Sequence, residues 1–315
     1  MAATVEYVFL ASTAYSGSTL LSALLGMHPE IATVSDVSGT RRRRTIATYR
    51  CSCGELMLEC PFWQAVRAAM LGRGVDDFEL ADFRLGFDYR AASLPGRLLT
   101  GPLRFGWVER ARDALAGAWP AHARRMRAIG ERNRLFAEAV LSVTGKRVFV
   151  DASKERRRAA HLARYLGADV RVIHLARDPR GVVESTLRRG KRPEASPVRL
   201  ARSWASTHES ILRDLRRFTP ERRILVRYED LCRTPDAVLA GLFRFCGVDP
   251  DVPVAELVAA GRVPTQHLLG NRMRLDGIGP IRLDERWRDA LDDRQAEAIL
   301  AATAPTYRRL YGVSR

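Results

Sequence analysis

Val5–Asp36 reads VEYVFLASTAYSGSTLLSALLGMHPEIATVSD. Its first part, Val5 to Ala11, is apolar and β-branched enough for a buried strand. A run of small residues breaks it at Ser12–Ser16, and Gly17-Ser18-Thr19 follows. From there Leu20, Leu21, Leu24 and Leu25 fall at helical spacing. The order strand, small-residue loop, helix leaves several backbone N–H groups at a helix N-terminus. Those donors and the positive end of the helix dipole attract an anion, most often phosphate. Gly17 lets the backbone approach closely, and Ser16, Ser18 and Thr19 add hydroxyl donors. The loop is not a Walker A sequence, since it has no Lys to reach a terminal phosphate. An ordinary helix with a tight entry turn would carry the same four letters, so the rest of the chain decides.

The chain has 315 residues, 46% of them hydrophobic, enough to build one large α/β domain. A net charge of +16 and a pI of about 10.5 are compatible with nucleic acid, an anionic membrane surface or a small polyanion. Much of the excess is Arg, as at Arg41–Arg44 and Glu155–Arg158, and Arg suits bidentate contacts to phosphate or sulfate. No helix–turn–helix, zinc-finger or RNA-binding aromatic pattern is present, which argues against nucleic acid as partner. The N-terminus lacks a basic region followed by an apolar core, and no apolar run is long enough to span a membrane. The expectation is a cytoplasmic protein, with peripheral contact to an anionic membrane left open.

Five cysteines do not read as a disulfide framework in a chain of this length. Cys51, Cys53 and Cys60 cluster, but zinc wants four ligands, and His28 or His122 would have to supply the fourth. The CxC spacing also differs from the usual CxxC knuckle. A structural loop carrying thiols, with no metal, is the expectation.

Further along, Pro29 ends the first helix near His28, and Ile31–Val34 is a short extended piece. In a parallel sheet that path returns the chain beside the first loop and places Asp36 near the anion site. Residues 62–141 read as a helical insertion able to shape an acceptor pocket, with Phe105, Trp107, Trp119 and Leu98–Leu99 expected in its core. Arg147–Asp151, Val170–Ala176 and Ile224–Arg227 are strands, each followed by a loop and a helix. The alternation predicts a doubly wound parallel sheet flanked by helices, in one domain over residues 1–315. Ligands of such sheets bind at the carboxyl ends of the strands. The loops at Ser12–Thr19, Asp151–Lys154 and Arg177–Gly181 belong to that edge.

Four short segments, in this order, resemble the sulfotransferases that use 3′-phosphoadenosine-5′-phosphosulfate (PAPS). Ser16-Gly17-Ser18-Thr19-Leu20 is similar to the family's 5′-phosphosulfate loop. Arg177-Asp-Pro-Arg-Gly-Val-Val-Glu-Ser185 is similar to its 3′-phosphate motif, in which an Arg and a Ser eight positions later hold that phosphate. Arg227-Tyr228-Glu229-Asp230-Leu231 resembles a structural segment, and Gly270–Arg274 with Trp287 resembles the C-terminal loop that covers the cofactor. The closest pattern is the tyrosylprotein-like branch of bacterial type.

The resemblance implies a P-loop-like fold and sulfuryl transfer to a hydroxyl or amine of a small-molecule, carbohydrate or lipid acceptor. The cofactor would rest on Ser16, Gly17, Ser18, Thr19, Leu20, Arg177, Ser185, Asn271 and Arg274, with no metal required. Two separated anion sites on one sheet edge are what a 5′-phosphosulfate plus a 3′-phosphate needs. Many members place Lys or Arg directly before the SG[ST]T loop, where this chain has Tyr15. Lys154 is then the candidate to stabilise charge on the leaving phosphate, and Asp36 the candidate base, with Glu30 and His28 as alternatives. A nucleotide-dependent phosphotransferase with a divergent loop is the rival reading.

Overall fold

The computed structural model describes residues 5–37, 46–87, 98–101, 103, 105–155, 157–167, 169–189, 195–261, 267–269 and 273–312, without the side chains of 273 and 274. Five parallel strands form one sheet: β1 (Glu6–Ser12), β2 (Ile31–Ser35), β3 (Val148–Asp151), β4 (Asp169–Ala176) and β5 (Arg223–Arg227). They stand side by side as β2-β3-β1-β4-β5. The central strands β1, β3 and β4 are buried on both faces, whereas the edge strand β5 is mostly half-buried. Within β1 the period of two divides the side chains between two cores. Tyr7, Phe9 and Ala11 face one of them, and Val8 and Leu10 the other.

The second face is covered by α1 (Ser18–Gly26) and, further along, the helix Pro235–Cys246. All nine residues of α1 are buried. That accounts for its Leu-rich sequence. Lys146 Nζ donates to the carbonyls of Gly26, His28 and Ile31 at 3.1, 2.9 and 2.8 Å. The ammonium thereby satisfies carbonyls where α1 ends.

The first face is covered by the 61–144 region. It holds α2 (Pro61–Leu71), α3 (Gly106–Ala118) and α4 (Pro120–Thr144). Trp63, Phe78, Phe83 and Phe136 stack into its core. The expectation that Trp107, Trp119, Phe105 and Leu98 also lie inside is wrong. All four are exposed, Trp107 by 67%, and so is Leu115 by 75%. Helical periodicity marks a stripe of apolar residues but not which surface covers it.

Two arginines of the Glu155–Arg158 run, Arg157 and Arg158, are buried. Arg158 is fully buried against Asp151 (2.6 Å), Glu155 (2.8 Å) and the Asn133 amide oxygen (2.6 Å). Arg157 is buried among Glu109, Asp113 and Asp214 at 3.3, 2.8 and 3.7 Å. Both guanidiniums tie β3 and α5 (Arg158–Tyr165) to the helical region. No helix among the described residues is long and apolar enough to cross a membrane.

Candidate active site

The turn after β1 is set by backbone geometry. Tyr15 and Gly17 both sit in the left-handed region, at φ 63° and 87°. Ser16 is buried and its hydroxyl donates to the Thr13 carbonyl at 2.6 Å, so it shapes the loop instead of waiting for a ligand. Gly17 precedes α1 with no side-chain cap. The first N–H groups of the helix, at Ser18, Thr19 and Leu20, therefore remain for an anion. Gly17 is also required sterically, because a Cβ there would stand 2.5 Å from Cδ2 of the Tyr228 ring.

That ring links the two candidate anion sites. Arg177, at the end of β4, lays its guanidinium over the other part of the Tyr228 ring, 4.6 Å from the centroid. Arg177 Nη1 donates to the Tyr15 carbonyl at 3.0 Å and to Ser185 Oγ at 3.4 Å. The guanidinium thus joins the first loop to the serine eight positions on. Asp178 and Pro179 open α6 (Pro179–Arg188), with the Asp178 carboxylate accepting from the Arg180 amide at 2.8 Å. An Asp N-cap followed by Pro starts a helix efficiently. Gly181 lets Arg177 pass, since a Cβ there would meet its Nε at 3.0 Å.

The segment from Arg227 to Leu231 is structural in a definite sense. Glu229 accepts the Asp178 amide at 2.9 Å and the Tyr311 hydroxyl at 3.0 Å, while Tyr228 fills the space between Gly17 and Arg177. Arg177 does not pair with Asp178 or Glu184. Its carboxylate partner is Asp284, 3.3 Å away, and its Nη2 also donates to the Asp284 carbonyl at 3.0 Å. Hydrogen bonding from Arg286, with Arg177 adding to it, holds the Asp284 carboxyl well below the usual carboxylate range. Trp287 follows, with the Arg180 guanidinium 3.9 Å above its ring.

The remaining candidates follow the strand order. Lys154 stands just past β3, directly beside β1, and is half-buried. Its turn is fixed by Asp151, which accepts from the Ser153 amide at 2.8 Å and from Tyr7 and Arg158. Asp36 follows β2 and is half-buried. It shares the sheet edge with the anion loop but not a neighbouring strand, because β3 lies between β2 and β1. Two strand spacings, about 10 Å, separate β2 from β1.

His28 and Glu30 point elsewhere. His28 Nε2 lies 3.0 Å from the Asp249 carbonyl and its Nδ1 accepts from the Glu30 amide, while Glu30 pairs with Arg147. Asn271 lies outside the described residues. So does the Arg274 side chain, whose backbone belongs to the short helix Met273–Asp276. Two residues carried no signal in sequence. Asp284 is one. Arg189 is the other, with its guanidinium 5.5 Å above the Tyr15 ring.

A profile described as "Sulfotransferase family" matches residues 109–252, which include Arg177, Ser185 and Tyr228. No curated protein matches the chain. Among solved structures, the sulfotransferase domain from the curacin biosynthetic pathway is 18% identical, covers 95% of this chain and 98% of its own, and has a TM-score of 0.50. A sulfotransferase from Alicyclobacillus acidocaldarius is 14% identical over 97% of this chain and 94% of its own, with a TM-score of 0.45. Retinol dehydratase, solved with androsterone and the inactive cofactor PAP, is 13% identical over 98% of this chain and 83% of its own, with a TM-score of 0.41. The curacin-pathway domain shares the fold, and the profile match runs through the Arg177–Ser185 segment.

Proposed function

We propose that this chain is a sulfotransferase and takes PAPS as its sulfuryl donor. The 5′-phosphosulfate would lie on the N–H groups at the start of α1, and the 3′-phosphate on Arg177 and Ser185. The observation that carries this reading is the single guanidinium joining Ser185 Oγ to the Tyr15 carbonyl. One residue thereby spaces two anion sites, as a nucleotide phosphorylated at both ends requires. A nucleoside triphosphate would need a cation inside the loop, which Ser16–Thr19 lacks.

On this reading each end of the sheet edge has its own task. Cofactor groups sit over β1 and β4, and the acceptor over β3, β2 and the helical region. The acceptor oxygen or nitrogen attacks sulfur in line, and the bond from sulfur to the bridging oxygen breaks. Negative charge then collects on the departing adenosine 3′,5′-bisphosphate. Lys154, one strand from the loop, is the residue proposed to meet that charge, and Asp36 the one to take the acceptor proton. Carbohydrate, lipid and small-molecule acceptors all suit the reading.

The test is transfer of labelled sulfate from PAPS to an aliphatic alcohol acceptor. Asp36→Asn keeps shape and removes the base, so kcat should fall by roughly 10²–10⁴ with product binding retained. Lys154→Ala should lower kcat far more than it weakens the bound product. Full activity of Asp36→Asn on that acceptor would move the base elsewhere.

A further inference from the structure

Cys51, Cys53 and Cys60 are not alone. The structure brings His267 to them from 216 residues beyond Cys51. Its Nδ1 lies 3.4 Å from Cys51 Sγ and 3.5 Å from Cys60 Sγ, and Cys53 Sγ lies 3.6 Å from Cys60 Sγ. All four ligand atoms fall within 4.8 Å of one another. Neither His28 nor His122 takes part: His28 faces Asp249 and His122 stacks near Trp119.

We propose that Cys51, Cys53, Cys60 and His267 form a structural zinc site. A tetrahedral zinc with bonds of about 2.3 Å to sulfur and 2.0–2.1 Å to nitrogen holds its ligand atoms roughly 3.5–3.8 Å apart. The observed separations of 3.4, 3.5 and 3.6 Å are of that size before any adjustment. They suit a single ion rather than a multi-iron cluster, whose ligands stand further apart. Three thiolates and one imidazole, with no open position, are the donor set of a closed structural site.

The surroundings are built for thiolates. The Cys53 amide points at Cys51 Sγ, and the Phe62 and Trp63 amides point at Cys60 Sγ. Cys60 is also the residue preceding α2, so its sulfur sits at a helix N-terminus. Gly54, at φ 99°, closes the turn between the first two sulfurs and the return at Arg50–Leu56. His267 is held in its orientation by the Phe62 ring, stacked at 4.2 Å and 9°. The Leu268 amide donates to Ser52 Oγ at 2.7 Å, which keeps the two segments in register.

The site has a consequence for the active centre. Leu269 donates to the Val34 carbonyl at 2.9 Å and pairs with Ser35, the residue before Asp36. The ion therefore fastens the entry to the helical region onto the outer edge of β2. In doing so it fixes the strand end that carries Asp36.

The experiment is metal analysis of the full chain, purified reduced, without an affinity tag and from zinc-supplemented cells. About one zinc per chain is expected. Replacement by Co²⁺ should give the intense visible bands and thiolate charge-transfer absorption of a tetrahedral cobalt–thiolate centre. His267→Cys should keep the metal, whereas Cys51→Ser and Cys60→Ser should lose it to a chelator that leaves the parent loaded. A folded, reduced parent that carries far less than one zinc and gives no cobalt–thiolate spectrum overturns the proposal. A Cys53–Cys60 disulfide in protein from reducing cytosol does so equally. Because zinc content and the cobalt spectrum are read without PAPS or acceptor, failure here leaves the sulfotransferase reading standing.

Discussion

Two buried arginines, Arg158 at the start of α5 and Arg177 directly after β4, have partners that differ in kind. Arg158 meets Asp151, Glu155, the Asn133 amide oxygen and the Leu85 carbonyl, so its charge and its donors are used inside the protein. Arg177 meets two carbonyls, a hydroxyl and an aromatic face. Its only described carboxylate partner is Asp284, which it shares with Arg286. A guanidinium with mostly neutral partners still attracts an anion, and one saturated with carboxylates does not. The first arrangement holds a fold together, and the second is suited to binding.

The contrast breaks most visibly at Arg158. Arg158→Met leaves Asp151 buried beside Tyr7 and Ser153 without its cation, and should cost about 3–5 kcal/mol in urea unfolding. Arg177→Met should cost far less in the same assay. Equal losses would erase the distinction.

Next in size is acid lability among the buried histidines. Burial, with the Arg157 charge adding to it, pushes His161 down to about 3, and burial alone does the same for His174. His208, 2.8 Å from His174, is pushed down as well by burial and then by that neighbour. Each stays neutral in the fold and titrates near 6.5 when unfolded. Their contribution to stability is thus complete above 6.5 and is lost as pH falls from there toward about 3. Unfolding at pH 5 should need less urea than at pH 7. His161→Gln should flatten that slope by up to about 2 kcal/mol over the interval. An unchanged slope would mean that His161 takes its proton in the fold.

The smallest effect expected is at Asp284. Its carboxylate competes with a phosphate for Arg177, so Asp284→Asn should tighten adenosine 3′,5′-bisphosphate by up to about fivefold in calorimetry. Weaker binding would make Asp284 a support for Arg177 rather than a competitor.

The two proposed phosphate loops are legible in the sequence because each is local. Ser16–Thr19 and Arg177–Ser185 are contiguous strand–loop–helix segments whose residue types and spacing carry their geometry. The strand order is not local. Ile31–Ser35 lies at the outer edge, beyond β3, so Asp36 ends two strands from the loop it was expected to adjoin. Charge runs mislead for the same reason. Arg157 is buried because Glu109, Asp113 and Asp214 come to it from distant helices, and Arg158 because it folds back on Asp151. Asp284 belongs to no pattern, and His267 gives no hint of its thiol neighbours at a separation of 216 residues.

Calorimetric titration of parent and Arg177→Ala with adenosine 3′,5′-bisphosphate and with adenosine 5′-phosphate tests the central claim most directly. The account predicts that the mutation weakens the bisphosphate by about 1.5–3 kcal/mol and the monophosphate hardly at all. The parent itself should bind the monophosphate weakly. Equal losses for the two nucleotides, or none for either, would contradict the assignment of Arg177 to the 3′-phosphate.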